Sequence, residues 1–365
     1  MKLPLIDQSD WVELSQCVLE QNRSKCVTTS WKRLAMRRLT TILTFAAGAL
    51  VVAISSVYLS FSAEIGRSRS RTESGGRIAD TSVGRVEYAE KGVGVPLLSI
   101  HGAGGGYDQG LDNIADLVGE HFRIIAPSRF GYLGAPIPFD TSSAAQADAF
   151  AALLRTLKIE KTVVVGVSAG ARSAVEFALR HPDSVSALIL VVPGTYAPTS
   201  PVSIQAGRGN EFVFWLVNAG ADFVWWAMEK CAPSQLVRFV GIPPQVFADS
   251  SATEQRRVVR IIANIEPLSR RFRGINIDSH QDDRRPPLEE ITAPTLVISA
   301  RDDLFNTLPA AEFAAKAIPN AELIVYPSGG HLLLGHGAEV RNVVSKFLAA
   351  NGIVPVEPTT AASQP

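Results

Sequence analysis

Thr162-Val163-Val164-Val165-Gly166-Val167 runs without a break into Ser168-Ala169-Gly170, and from there into Ala171-Arg172-Ser173-Ala174-Val175-Glu176-Phe177-Ala178-Leu179-Arg180-His181. The opening run is short, apolar and rich in β-branched residues, as a strand buried on both faces should be. The closing run carries apolar residues at helical spacing and stops at Pro182. Between them stands Gly-x-Ser-x-Gly, and that order of strand, motif and helix predicts a nucleophile elbow at Ser168. The serine there occupies a strained turn, small neighbours let strand and helix approach, and the hydroxyl projects above the carboxyl edge of the sheet. A Walker-type phosphate loop does not fit, because the stretch has no Lys before its Ser.

Strand-like runs recur on either side: 96–100, 123–126, 187–192, 294–299 and 322–326. Helical patterns such as 142–157 separate them. This alternation predicts an α/β fold, a mostly parallel sheet with helices on both faces. The interval 193–293 breaks the rhythm and is too long for one crossover, so a helical cap is expected over about 195–290. Phe212, Trp215, Leu216, Ala219, Phe223 and Trp226 fall at helical spacings within it. Trp215, Trp225 and Trp226 read either as an apolar wall over a site or as the cap's own core.

Two further signals carry chemistry. His101-Gly102-Ala103-Gly104-Gly105-Gly106 follows the strand-like run ending at Ile100. Acyl transfer develops negative charge on a carbonyl oxygen and needs backbone N–H groups aimed at it. One donor is expected from Ala169 and the other from Ala103 or Gly104. A dinucleotide loop is excluded by Tyr107, which stands where the third glycine would be. His101 reads as a structural residue of the loop. Asp302 and Asp303 then follow the run 294–299, and His331 follows 322–326. A serine hydroxyl needs an imidazole base held by an acid, and the chain order Ser, Asp, His supplies both. His336 is the reserve base; His121, His181 and His280 read as loop or surface residues. Pro193-Gly194-Thr195, after the run ending at Val192, offers no acid.

Together these residues resemble the α/β-hydrolase family: HGAGGG after one strand, GVSAG at the elbow, ARDD after the penultimate strand and GGH after the last. The resemblance spans about residues 80–350. Family strands commonly end in Gly-x-x-Asp, and in that register the acid is Asp303 over Asp302, with Ala300 replacing the glycine. Ser128, in Ser128-Arg129-Phe130-Gly131-Tyr132-Leu133-Gly134, stands where the family usually carries Asp. The resemblance implies a serine hydrolase of carboxylic esters or related acyl compounds, with Ser168, His331 and Asp303 as triad. Ser168 argues against dehalogenase or epoxide hydrolase chemistry, whose family members carry Asp at the elbow. Carbon–carbon bond hydrolases, amidases and cofactor-free haloperoxidases share the same residue set. From another class, a catalytically silent, membrane-tethered binding module is the rival, and covalent labelling by a fluorophosphonate discriminates the two.

Outside this body, Leu39 to Phe61 is apolar and without one charge. At about 1.5 Å per residue it reaches ~34 Å, enough to cross a hydrocarbon core of roughly 30 Å. It is expected to be a transmembrane helix (39–61) after an N-terminal cytoplasmic segment (1–38). A cleaved signal peptide would have a shorter apolar run nearer the start. Arg23, Lys25, Lys32, Arg33, Arg37 and Arg38 precede the span, against Arg67, Arg69, Arg71 and Arg77 after it. That bias predicts an extracytoplasmic hydrolase domain. Residues 62–79 read as an irregular juxtamembrane linker, and 351–365 as a frayed tail.

Composition excludes other classes. The 365 residues are 46% hydrophobic and 19% charged, which rules out a disordered chain. Lys+Arg and Asp+Glu are 35 each, so no basic footprint for nucleic acid exists. Cys17, Cys26 and Cys231 form no metal or disulfide pattern. No metal or organic cofactor is expected; the expected partners are a small-molecule or lipid-like acyl substrate and the membrane.

Overall fold

The computed structural model describes residues 23–119, 121–198, 221–281 and 284–353. Phe212, Trp215, Leu216 and Ala219 of the expected cap, most of the N-terminal segment and the tail beyond 353 lie outside them.

The chain divides into two units, Met1–Glu64 and Ile65–Pro365. The described part of the first is helical, within helix α1, Arg23–Ser74. Its stretch from Trp31 contains a window of mean hydropathy 2.2 with none of it buried. Leu39, Ile42, Phe45, Leu50 and Ile54 all stand exposed.

In the second unit α1 continues to Ser74, so the irregular linker expected over 62–79 is corrected to helix followed by a strand. The Arg/Ser-rich stretch has little intrinsic pattern, but Ile65 and Thr72 are buried and Arg69 and Arg71 form ion pairs with Asp222 and Asp108. Tertiary contacts override the weak local signal. Strand β1, Arg77–Thr81, then pairs antiparallel with β2, Gly84–Lys91.

The remaining strands are β3 (Val95–Ile100), β4 (Phe122–Pro127), β5 (Thr162–Val167), β6 (Val185–Val191), β7 (Thr295–Ala300) and β8 (Glu322–Tyr326). The sheet has eight strands in the order β1-β2-β4-β3-β5-β6-β7-β8. From β4 to β8 every pairing is parallel, while β2 pairs antiparallel with β4.

Period-two alternation builds two cores from the same strands. Leu98, Val164, Leu188 and Val297 face one side, against α3 (Ser143–Thr156) and α4 (Gly170–Arg180), with Phe150, Leu153, Val175 and Phe177. Leu97, Val163, Val165, Ile189 and Leu296 face the other, against α2 (Tyr107–Val118) and α11 (Gly337–Ala350), with Ile114, Val344 and Phe347. Ser142 caps α3 by accepting the Ala145 N–H at 3.2 Å. α10, Leu308–Ala317, adds Ala311 and Ala314 to the first core.

Between β6 and β7 the described residues hold α5 (Asp222–Cys231), α6 (Pro233–Phe239), α7 (Pro244–Asp249), α8 (Ala252–Ala263) and α9 (Phe272–Ser279). They share a small core of their own, formed by Trp225, Leu236, Val237, Val258 and Ile262. Trp225 therefore belongs to the cap's interior.

Candidate active site

Each sequence-predicted side chain lies beyond the carboxyl end of a parallel strand, where open α/β sheets place their ligands. Ser168 follows β5, Asp303 follows β7, His331 follows β8, and the 101–106 loop follows β3.

Ser168 has φ +51°, the left-handed region that a non-glycine residue occupies at a cost of about 1–3 kcal/mol. Three backbone bonds hold it. Its N–H donates to Val191 O at 3.0 Å, and its carbonyl accepts from Ala171 N at 3.0 Å and Gly194 N at 2.9 Å. A Cβ on Gly170 would stand 2.4 Å from His101 O, so this glycine lets α4 begin directly against the glycine loop.

His331 and Asp303 are both buried, and His331 Nδ1 lies 2.8 Å from Asp303 Oδ2. Asp303 also accepts from Phe305 N at 2.9 Å and from the Thr307 hydroxyl. Burial pushes its carboxyl up, but the adjacent His331 and these hydrogen bonds outweigh burial and hold it below the usual carboxylate range. A proton on Nδ1, donated to the carboxylate, leaves Nε2 with the lone pair that a base requires. Phe305 packs edge-on to the imidazole at 4.5 Å, and Gly241 O accepts the His331 N–H at 3.1 Å. Asp302 does something else: it accepts the Gly329 and Gly330 N–H groups at 3.2 and 2.8 Å, shaping the turn that presents His331. His336 stacks on Tyr326 and bonds Glu339, outside this arrangement.

Gly102, Ala103, Gly104, Ser168, Ala169 and His331 line one cavity of about 300 Å³. Its apolar wall comes from Phe239, Val240, Ile261, Ile265, Leu268 and Ile275, and neither Trp225 nor Trp226 contributes. Arg172, Asp278 and Gln281 are among its polar lining. A larger open cleft of about 1000 Å³ adjoins it at His331 and Leu332 but touches neither Ser168 nor the glycine loop, so of the two only the smaller cavity brings Ser168, the glycine loop and His331 together. Among the described residues, no group of three His, Cys, Asp or Glu is placed to hold a metal.

Behind the glycine loop lies a buried polar network that carries no sequence motif. His101 Nε2 accepts the Arg129 N–H at 2.9 Å, so its proton sits on Nδ1, which donates to Gly102 O at 2.7 Å. Burial and the nearby Arg129 guanidinium press its pKa well below the ordinary histidine value. Arg129 pairs with Asp278 of α9. The Tyr132 hydroxyl donates to Asp278 at 2.5 Å. Burial and Asp278 hold that phenol well above its usual pKa, hence neutral. Gly104 lies toward this phenol, and Ala103 is the candidate taken as the oxyanion donor beside Ala169. Ser128 accepts the Tyr107 N–H at 3.1 Å on its hydroxyl and donates its own N–H to Glu87 O at 2.9 Å, a structural use of the position where the resemblance expects Asp.

The sequence pattern of the alpha/beta hydrolase family matches residues 97–343. The chain belongs to the α/β-hydrolase family. This α/β-hydrolase is 29% identical over 276 residues to a 2-hydroxy-6-oxononadienedioate/2-hydroxy-6-oxononatrienedioate hydrolase of Paraburkholderia xenovorans (strain LB400), covering 73% of this chain and 91% of the relative. A 2-hydroxymuconate semialdehyde hydrolase of Pseudomonas putida is 26% identical, again over 73% of this chain and 91% of the relative. An alpha/beta hydrolase fold protein from Nakamurella multipartita superposes with a TM-score of 0.63 at 27% identity, covering 76% of this chain and 100% of its own. The chain is accordingly an enzyme, and the mostly parallel sheet flanked by helices is the family's fold.

Proposed function

We propose that this α/β-hydrolase is a membrane-anchored serine hydrolase that cleaves a carboxylic ester or related acyl substrate through an acyl-enzyme. Ser168 attacks the carbonyl carbon, and His331 Nε2 takes the hydroxyl proton and returns it to the leaving group. Asp303 holds the imidazolium, and the Ala103 and Ala169 amides receive the oxyanion. Water then repeats the sequence on the acyl-enzyme. The observation that carries this reading is the buried Asp303–His331 bond at the edge of the one cavity that Ser168 and the glycine loop also line. The length and hydropathy of α1 support the anchor, and the arginine bias across 39–61 supports an extracytoplasmic domain.

Ser168→Ala and His331→Ala are expected to abolish hydrolysis of short p-nitrophenyl esters while leaving the fold intact, and a fluorophosphonate is expected to label Ser168 covalently. Ester turnover by Ser168→Ala equal to wild type would remove the assignment.

The substrates for which the relatives are named favour a second reading, hydrolysis of a carbon–carbon bond in a 2-hydroxy-6-oxo acid. Arg172, in the cavity's polar lining, suits the carboxylate of such a substrate. Loss of the dienoate absorbance in the presence of wild type but not Ser168→Ala, with kcat/KM above that for esters, selects this reading over the first.

A further inference from the structure

We infer that the last turns of α1, which lie outside the matched family residues, belong to the catalytic apparatus, with Arg71 as a positioning residue that steadies the oxyanion loop through Asp108 and Arg271. The inference rests on the reading above that the Ala103 amide is an oxyanion donor.

Arg71 Nη1 donates to Asp108 Oδ2 at 3.0 Å, and its Nη2 to Glu266 O at 3.0 Å. Asp108, in the first turn of α2, also receives Arg271, Nη2 to Oδ2 at 2.7 Å and Nη1 to Oδ1 at 3.1 Å. Arg271 is 0% exposed and donates onward to Gly105 O at 2.6 Å and Asn264 O at 2.8 Å. Gly105 lies two residues beyond Ala103. A continuous path of charge-assisted hydrogen bonds therefore leads from Arg71 to the carbonyl of Gly105, in the loop that lines the cavity with Ser168.

The backbone is tied at the same place. The Tyr107 hydroxyl, one residue from Asp108, reaches Arg71 O at 3.3 Å and Thr72 O at 3.1 Å, and Thr72 is itself buried. The buried Arg271 charge requires an ionised partner. Burial acts to protonate Asp108, and the two guanidiniums outweigh it and hold the carboxyl below its usual range. Arg71 thus adds to Arg271 in keeping Asp108 ionised and in holding its carboxylate in place. Without it Asp108 Oδ2 loses one of its two guanidinium donors, Asp108 keeps only Arg271 and the Gln109 N–H, and Gly105 and Ala103 are held less firmly. A displaced oxyanion donor weakens the transition state more than substrate binding, so the loss falls on kcat.

The test uses the full chain in detergent, with kcat expressed per active site titrated by a fluorophosphonate so that misfolded protein is not counted. Arg71→Ala is expected to lower kcat by about tenfold with KM within about twofold. Arg71→Lys should recover a substantial part of the loss, because an ammonium still reaches the carboxylate. Glu73→Gln, which breaks only the exposed pair with Arg270, should match wild type. A kcat per titrated site for Arg71→Ala equal to wild type, with Ser168→Ala inactive, overturns the inference and leaves the proposed function standing. Full turnover by Ser168→Ala overturns the proposed function and the inference with it.

Discussion

Gly194 donates its N–H to the Ser168 carbonyl at 2.9 Å, and a Cβ on Gly194 would stand 3.2 Å from that carbonyl carbon and 3.3 Å from the Ala169 nitrogen. The turn after β6 therefore supports the elbow from below, and its glycine leaves room for both the strained serine and the neighbouring amide. Gly194→Val is expected to shift Ser168 and Ala169 together and to lower kcat by about 10²-fold. Gly194→Ala, needing a displacement of only tenths of an ångström, should lose much less. Steady-state ester kinetics on the folded variants measures both, and equal activity for Val and wild type would show that the elbow does not lean on this residue.

Two adjacent carboxylates divide their work. Asp303→Asn keeps the shape but favours the wrong imidazole tautomer, and a loss of about 10⁴ in kcat is expected. Asp302→Asn retains an acceptor for one of the two amides, Gly329 or Gly330, and is expected to cost mainly stability, about 2–4 °C in Tm. Paired kinetics and thermal unfolding separate the roles; a larger kinetic loss in Asp302→Asn would reverse the assignment.

Much of this arrangement was legible in the sequence because it is local. Strands β3 to β7 are largely buried on both faces and announce themselves as apolar runs, as does the half-buried edge strand β8, and the elbow and glycine loop are fixed by residues contiguous in the chain. β1 and β2 were not legible. At the antiparallel edge, Arg77–Thr81 has a single buried residue, and Gly84–Lys91 mixes Arg, Glu and Lys with its apolar positions. The helix through Ser74 was missed for a related reason: its order comes from Asp108, Asp222 and Glu266, remote in sequence. Asp278 gave no signal either. Its importance lies in meeting Arg129 and Tyr132 across about 150 residues, which no spacing rule can register.

Tyr132 tests that remote network. Tyr132→Phe keeps the edge contact with His101, whose ring centroid is 4.8 Å away, but removes the donor to Asp278. Loss of this buried hydrogen bond to a charged acceptor, with Arg129 still paired to the same oxygen, is expected to cost about 1–3 kcal/mol of stability. With the glycine loop less constrained, kcat should fall by about tenfold at nearly constant KM. Urea unfolding and ester kinetics on the same preparation check both effects. An unchanged kcat with the expected loss of stability would confine Tyr132 to holding the cap.

His101 makes folding stability depend on pH in a defined direction. Its Nε2 accepts the Arg129 N–H, so protonation would replace an acceptor with a donor facing another donor, in a fully buried site beside a guanidinium. Arg271 opposes the added charge as well, and Asp108 is the acid that favours it. The folded pKa is therefore depressed below the unfolded value near 6.5. The unfolded chain binds the proton first as pH falls, so the stabilisation is complete above about pH 6.5 and drains away below it, until the folded pKa is reached. For one proton the slope approaches about 1.4 kcal/mol per pH unit. Urea midpoints for wild type between pH 7 and 5 should fall accordingly, and His101→Gln, though less stable at pH 7, should show a slope shallower by about that amount. Parallel slopes for the two proteins would mean that His101 takes up its proton in the folded state as readily as in the unfolded one.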